Sequence, residues 1–345
     1  VAALEYAADP NGDLDPSDKL DVVNLSLGGG YGKPHNLYTT AAKNLVNGGV
    51  IMVASAGNSG HTSYIVGSPG TSADAISVAA SIDGMEKNWQ FKSVSFQAGL
   101  GDFIYTEVLE GAISRPVADS EDIKAKLIFA GTAATDFSEE LKTELKNNIA
   151  LIDRGGVSFV EKLKRAYDAG AIGVIMANNK PSAPISMGGE GKVDLPAIMI
   201  TSDLATSLKE NMKAGDVIAN FGSKKTINKP QLVDTLTSFS SRGPRSNDSL
   251  IKPEVSGPGY QIISAAMGSG NKGVPFNGTS MSAPHVAGVM ALLKQHRKEL
   301  SAKELKTILM NTAVLMKDEK GKTYPVAMQG AGRVDTYKAA TAVIM

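Results

Sequence analysis

Asn277 to Gly288 reads NGTSMSAPHVAG, and this stretch decides the class of protein. A serine, Ser280, sits between the small-residue turn Gly278–Thr279 and a helix expected to open at Ala283 and Pro284. Val286, Met290 and Leu293 follow at helical spacing. Proline suits the first turn of a helix, where its missing N–H would be unpaired anyway. A hydroxyl placed there lies beside unpaired backbone N–H groups and the positive end of the helix dipole. Acyl transfer needs that setting: a nucleophile with donors aimed at the oxygen that becomes negative. A single serine before a helix is far more often an ordinary N-cap, so the weight rests on the whole string.

The string resembles the nucleophile segment of subtilisin-like serine proteases, with Ser280 on the nucleophile. Four other segments follow the same family's pattern in order: VVNLSLGGG (22–30), VIMVASAGNSG (50–60), SPGTSADAISVAA (68–80) and SFSSRGP…KPEVSGPG (238–259). The resemblance covers about two thirds of the chain. It implies an α/β fold with a parallel sheet flanked by helices, and a serine endopeptidase acting on protein or peptide substrates. It also implies secretion or display at the cell surface.

In this family the triad runs Asp, His, Ser along the chain. Both earlier members are expected upstream of the strand at Val22–Gly30, yet the sequence opens at Val1 in what reads as the inside of a helix. None of the four histidines (His35, His61, His285, His296) lies in a segment like the family's base. His285 follows Ser280 by five residues on the helix, so it is expected to point away and pack as a structural residue. The chain is therefore expected to be part of a larger protease and inactive alone. A catalytically dead relative that binds peptides or partners is the competing reading.

The remaining site residues follow from chemistry joined to the resemblance. Asn58, in SAGNSG, carries an amide on a glycine-flanked turn; it reads as a plain turn residue or as an oxyanion donor. Beside Ser280 the oxyanion role is preferred, with the Ser280 N–H as second donor. Ser26, Leu27 and Gly28 are expected to pair with an extended peptide through backbone hydrogen bonds. Ala54, Ser55, Ala56 and Gly57 are expected to line the primary pocket. Their small size and lack of charge favour large apolar side chains over Arg or Lys.

Composition fits an enzyme and excludes several alternatives. Lys+Arg and Asp+Glu are 35 each, so bulk charge favours neither nucleic acid nor an anionic membrane. No apolar run approaches the ~18 residues of a membrane span. The absence of cysteine rules out disulfides and thiolate metal sites.

Short apolar runs at 21–27, 50–56 and 75–80 read as buried parallel strands, with a crossover helix at 38–47. The catalytic domain is thus expected over 1–100 and 229–345. Residues 101–228 alternate strand and helix on their own and form an expected inserted domain. ALIDRGGVSFVEKLKRAYDAGAIGVIMANN, within it, resembles the protease-associated domain that many subtilases carry, with Val157 where a cysteine often stands. No G-x-G-x-x-G links a strand to a helix there, against dinucleotide binding. Ser158 with Glu161 and Ser301 with Glu304 predict capping boxes.

ADPNGDLDPSD (8–18) places Asp9, Asn11, Asp13, Asp15 and Asp18 at spacings seen in hard-cation loops. Leu14 and Leu20 break the EF-hand pattern. The segment reads either as a structural calcium loop or as a solvated acidic loop. No cofactor is expected for catalysis.

Overall fold

The computed structural model describes residues 1–83, 89–98, 101–105, 109–111, 113–115, 117, 123–180, 184–185, 187–189, 191–227, 232–268 and 270–343. The chain divides into two compact units, Val1–Met85 with Pro230–Met345, and Glu86–Lys229.

The first unit is built on a parallel sheet of four strands in the order Val22–Leu25, Ile51–Ser55, Ile76–Ser81 and Val255–Pro258. Each apolar run expected as a strand forms one. The middle two are buried at every position, as a parallel strand covered on both faces must be. The expected crossover helix runs Leu37–Asn47, and its N-terminus is set by Asn36, whose side chain accepts from the Thr39 N–H at 2.9 Å. The Thr279–His296 helix buries Ala283, Val286, Val289, Met290 and Leu293 in one core with Val53, Ile76, Val78 and Val255. Capping boxes form at Ser158 and at Ser301, as their sequence predicts.

The Thr279–His296 helix opens four residues earlier than the position of Pro284 suggests. Gly278 is its N-cap, Ser280 lies inside the first turn, and Pro284 is in the helix interior.

A buried ionic cluster locks the start of the Ile76–Ser81 strand to the start of Val255–Pro258. Glu254 Oε2 accepts the Ser77 N–H at 2.7 Å. Its Oε1 accepts from Lys252 at 2.6 Å and from Lys306 at 2.9 Å. The two ammonium groups also donate to the Ser72, Ala73 and Ala75 carbonyls. Lys252 is 0% and Glu254 6% exposed. Burial pushes the Lys252 pKa down to about 8, against the pull of Glu254.

The second unit is a mixed sheet. Strands Ile123–Phe129, Ile149–Asp153, Gly173–Ala177 and Val193–Ile200 run parallel in that order. Ile218–Ile227 pairs antiparallel with the first of them and with Trp89–Ala98, which pairs in turn with Gly101–Tyr105. The two faces carry separate cores. Leu145, Leu163 and Ala166, from helices Glu139–Leu145 and Phe159–Asp168, fill one. Ala205 and Leu208, from helix Ser202–Ala214, fill the other with Phe96 and Phe221.

Two expected outcomes follow from this packing. Glu254→Gln turns an amide donor or a neutral oxygen toward two ammonium groups, one wholly buried. It is expected to destabilise the protein by about 3–5 kcal/mol, the cost of breaking a buried ion pair. Urea unfolding of the variant against the parent measures it. Second, residues 86–229 expressed alone are expected to unfold in one cooperative transition. Residues 101–228 lack the strand that carries the fully buried Phe96, and are expected to unfold at lower urea or to lack a cooperative transition. Circular dichroism on both fragments checks this.

Candidate active site

Ser280 and Asn58 are brought together by a clamp that neither segment forms alone. Asn58 Oδ1 accepts both the Thr279 N–H and the Thr279 hydroxyl, each at 2.9 Å. A backbone N–H can only donate, so the atom facing it must be the amide oxygen. The Asn58 NH₂ is thereby directed the other way, next to the Gly278–Ser280 turn: a methyl group on Gly278 would lie 3.2 Å from Asn58 Nδ2. The Thr279 hydroxyl also accepts the Gly57 N–H at 3.1 Å.

The glycine-flanked loop around Asn58 is held from the opposite side by Ser241, which is buried. Ser241 Oγ accepts the Ser59 N–H at 2.9 Å, and the Ser241 N–H donates to the Gly57 carbonyl at 2.9 Å. The Gly60 N–H donates to the Phe239 carbonyl at 2.8 Å. Gly57 has φ +109, and a Cβ there would come within 2.9 Å of Ser241 Oγ, so glycine is required on both counts.

The Ser280 hydroxyl donates to the Ser26 carbonyl at 3.3 Å. Its backbone N–H has no acceptor among the described residues, as expected in the first turn of a helix. The Gly278 N–H is tied to the Gly259 carbonyl at 2.8 Å. A side chain on Gly259 would meet Ser282 Oγ, the Ala80 Cβ and the Gly278 carbonyl. That close approach seats the start of the helix on the end of the sheet.

A cavity of about 90 Å³ adjoins these groups, lined by Gly28, Gly29, Gly30, Ser55, Gly57, Asn58, Ser59, Ile65, Gly67 and Ser241. Ser55 and Gly57, two of the residues expected to line the primary pocket, line this cavity, as does Gly28, which was expected to pair with a peptide. Ala54 and Ala56 are fully buried and do not. Leu27 is exposed, and Ser26 meets Ser280 instead.

No histidine hydrogen-bonds to Ser280 Oγ among the described residues. His61 Nε2 lies 3.3 Å from the Thr237 carbonyl. His285, read from the sequence as packed, is on an exposed part of the helix, as are Pro284 and Gly288.

The acidic loop turns its carboxylates onto its own backbone. Asp9 accepts from the Gly12 and Leu14 N–H groups, both at 2.8 Å. Asn11, Asp13 and Asp15 accept from Asp13, Asp15 and Ser17 N–H groups respectively. Asp18 ends the short 3₁₀ turn Pro16–Asp18. Among the described residues no three acidic or histidine side chains converge as a metal site.

Thr279 and Ser241 are the structural partners that sequence reasoning did not single out. Thr279 and Asn58 are 221 residues apart, and Ser241 and Ser59 are 182 apart, so no local pattern signals either contact.

Comparison with known proteins bears on the same segments. Residues 1–332 match the model of the subtilase family, Peptidase_S8. The chain is 35% identical over 324 residues to the minor extracellular protease Vpr of Bacillus subtilis (strain 168), covering 91% of this chain and 38% of that protein. It is 35% identical over 232 residues to a C5a peptidase of Streptococcus pyogenes serotype M3, covering 62% and 18%. It is 30% identical over 382 aligned positions to a PII-type proteinase of Lacticaseibacillus paracasei, covering 94% and 19%. The chain thus spans about two fifths of the first relative and about a fifth of the other two. With Ser280 on the first turn of its helix and Asn58 clamped beside it, a chain matched to this model over residues 1–332 belongs to the subtilase family.

Proposed function

We propose that this chain is the nucleophile-bearing part of a secreted or cell-surface serine endopeptidase. The observation that carries the reading is the orientation of the Asn58 amide. Its oxygen is consumed by Thr279, and its NH₂ is left beside the N–H of Ser280, which has no acceptor among the described residues. Two fixed donors beside a hydroxyl form the arrangement that stabilises a tetrahedral oxyanion.

In the proposed reaction Ser280 Oγ bonds to the carbonyl carbon of the scissile peptide. Its proton passes to a histidine held by an aspartate, both supplied by chain preceding Val1. The carbonyl oxygen becomes the oxyanion, held by the Asn58 NH₂ and the Ser280 N–H. The C–N bond then breaks, the amine leaves with the histidine's proton, and water releases the acyl group. An extended substrate adds along Ser26–Gly28 by backbone hydrogen bonds. Its side chain is proposed to enter the cavity lined by Gly28–Gly30, Ser55 and Gly67. Among the described residues no carboxylate lines that cavity, which suits an uncharged side chain. The Glu86–Lys229 unit is proposed as a protease-associated insertion. Vpr is named an extracellular protease, and the same location is proposed here.

Among the described residues no histidine hydrogen-bonds to Ser280 Oγ, and an expected outcome follows. An unassisted serine hydroxyl is a poor nucleophile. The 345-residue chain alone is expected to cleave no peptide and to resist labelling by an organophosphorus reagent. The longer protein, including chain before Val1, is expected to label once, at Ser280. Mass spectrometry of both decides it; efficient labelling of the 345-residue chain would place the base inside it and overturn the triad assignment.

In that longer protein Asn58→Ala removes one oxyanion donor. It is expected to lower kcat by roughly 10²–10³ with little change in KM, a range that comes from measurement on subtilisin, itself a subtilase. Steady-state kinetics on a peptide anilide checks the split; an unchanged kcat would remove Asn58 from the reaction.

A further inference from the structure

The carbonyl oxygen of Ser280 raises a question of hydrogen-bond supply. In an uninterrupted α-helix it would accept the N–H four residues on. That residue is Pro284, which has no N–H, and whose ring crowds the same carbonyl. A carbonyl left unpaired in a half-buried first turn costs stability and frees the residue to shift.

The missing donor is supplied from outside the helix. Ser26, just past the Val22–Leu25 strand, donates its hydroxyl to the Ser280 carbonyl at 2.8 Å. Asn24 Nδ2 donates to Ser26 Oγ at 3.0 Å, which leaves the single Ser26 proton for Ser280. The Ser280 hydroxyl in turn donates to the Ser26 carbonyl at 3.3 Å. Main chain and side chain of one serine are therefore tied to side chain and main chain of the other, across 254 residues.

We infer that the Ser26 hydroxyl is a positioning residue for the Ser280 nucleophile, a role created by the missing N–H of Pro284. The inference rests on the proposed reaction at Ser280. Ser26 takes no part in the chemistry through this hydroxyl; it fixes the first helical turn so that Ser280 Oγ and its N–H keep their places. Positioning of a reacting atom is felt mainly in the transition state, so its loss lowers kcat more than it raises KM.

The test uses the longer protein with chain preceding Val1. Ser280→Ala comes first: if peptidase activity survives it, the proposed reaction itself falls. With Ser280 established, Ser26→Ala is expected to lower kcat about tenfold, the worth of one net hydrogen bond at its stronger end, with KM within twofold. Ser26→Thr keeps a hydroxyl and is expected to stay within about threefold of the parent. The decisive variant combines Ser26→Ala with Pro284→Ala. The second substitution supplies the backbone N–H that proline lacks, and kcat is expected to recover above that of Ser26→Ala. Hydrogen exchange offers a readout independent of activity. The new amide at position 284 should be more protected in the double variant than in Pro284→Ala alone, where the Ser26 hydroxyl competes for the same carbonyl. Unchanged kcat in Ser26→Ala, or losses that simply multiply in the double variant, would overturn the inference while leaving the Ser280 assignment intact. Should Ser26→Ala alone fail to fold, recovery of folding in the double variant supports the inference. Failure of both, with Pro284→Ala folding normally, overturns it.

Discussion

The pair of hydrogen bonds from Thr279 to Asn58 Oδ1 is the constraint on which the site depends. It joins segments 221 residues apart, and it does so with groups of fixed polarity. Thr279 offers one N–H and one O–H, and both go to a single amide oxygen. An aspartate at position 58 would satisfy the same two donors, yet it would present an oxygen where the asparagine presents NH₂. The clamp therefore requires an acceptor, and the proposed chemistry requires an amide. Asparagine meets both demands within one short side chain, which a glycine-flanked turn brings close to the helix start.

That clamp works only because its two sides are rigid. On one side the Thr279–His296 helix is anchored by a continuous apolar stripe into the four-stranded sheet. On the other, Ser241 and Phe239 hold the loop 57–60 through three backbone-linked hydrogen bonds. The Glu254 cluster fixes the start of Ile76–Ser81 against Val255–Pro258, two strands that lie under the same helix. Buried charge is an expensive way to join strands, since desolvation offsets much of the attraction. Here one carboxylate serves two ammonium groups and a backbone N–H, and carbonyls meet further ammonium protons, so the cluster forms a connected hydrogen-bonded network.

Much of this is legible in the sequence, for reasons that differ by element. Strands such as Ile51–Ser55 are buried on both faces, and their unbroken apolar runs say so. Ser158 and Ser301 announce their helices because a capping box is a local device spanning four residues. The start of the Thr279–His296 helix is misread from sequence because Pro284 is a strong punctuation mark that usually sits in the first turn. Here the sheet contacts of Val286, Met290 and Leu293 hold the helix together through the proline. Ala54 and Ala56 read as pocket wall, since small size alone does not tell a wall from a core. Both face the interior, while the neighbouring Ser55 and Gly57 meet the cavity. The contacts of Ser241 and Thr279 are invisible in the sequence because nothing in a linear string marks pairs that far apart.

The proline and the clamp address one problem from two directions. A nucleophile at a helix start gains the free N–H groups that an oxyanion needs, but those same unpaired groups leave the first turn weakly held. An interior proline weakens it further by removing a bond from the second turn. The structure returns the lost restraint through side chains on other segments: Asn58 takes the Thr279 donors, and Ser26 supplies the Ser280 carbonyl. Neither contact uses the Ser280 N–H, which has no acceptor among the described residues. Restraint supplied from the sides rather than along the helix axis holds the turn while leaving open the backbone donor that the proposed reaction uses.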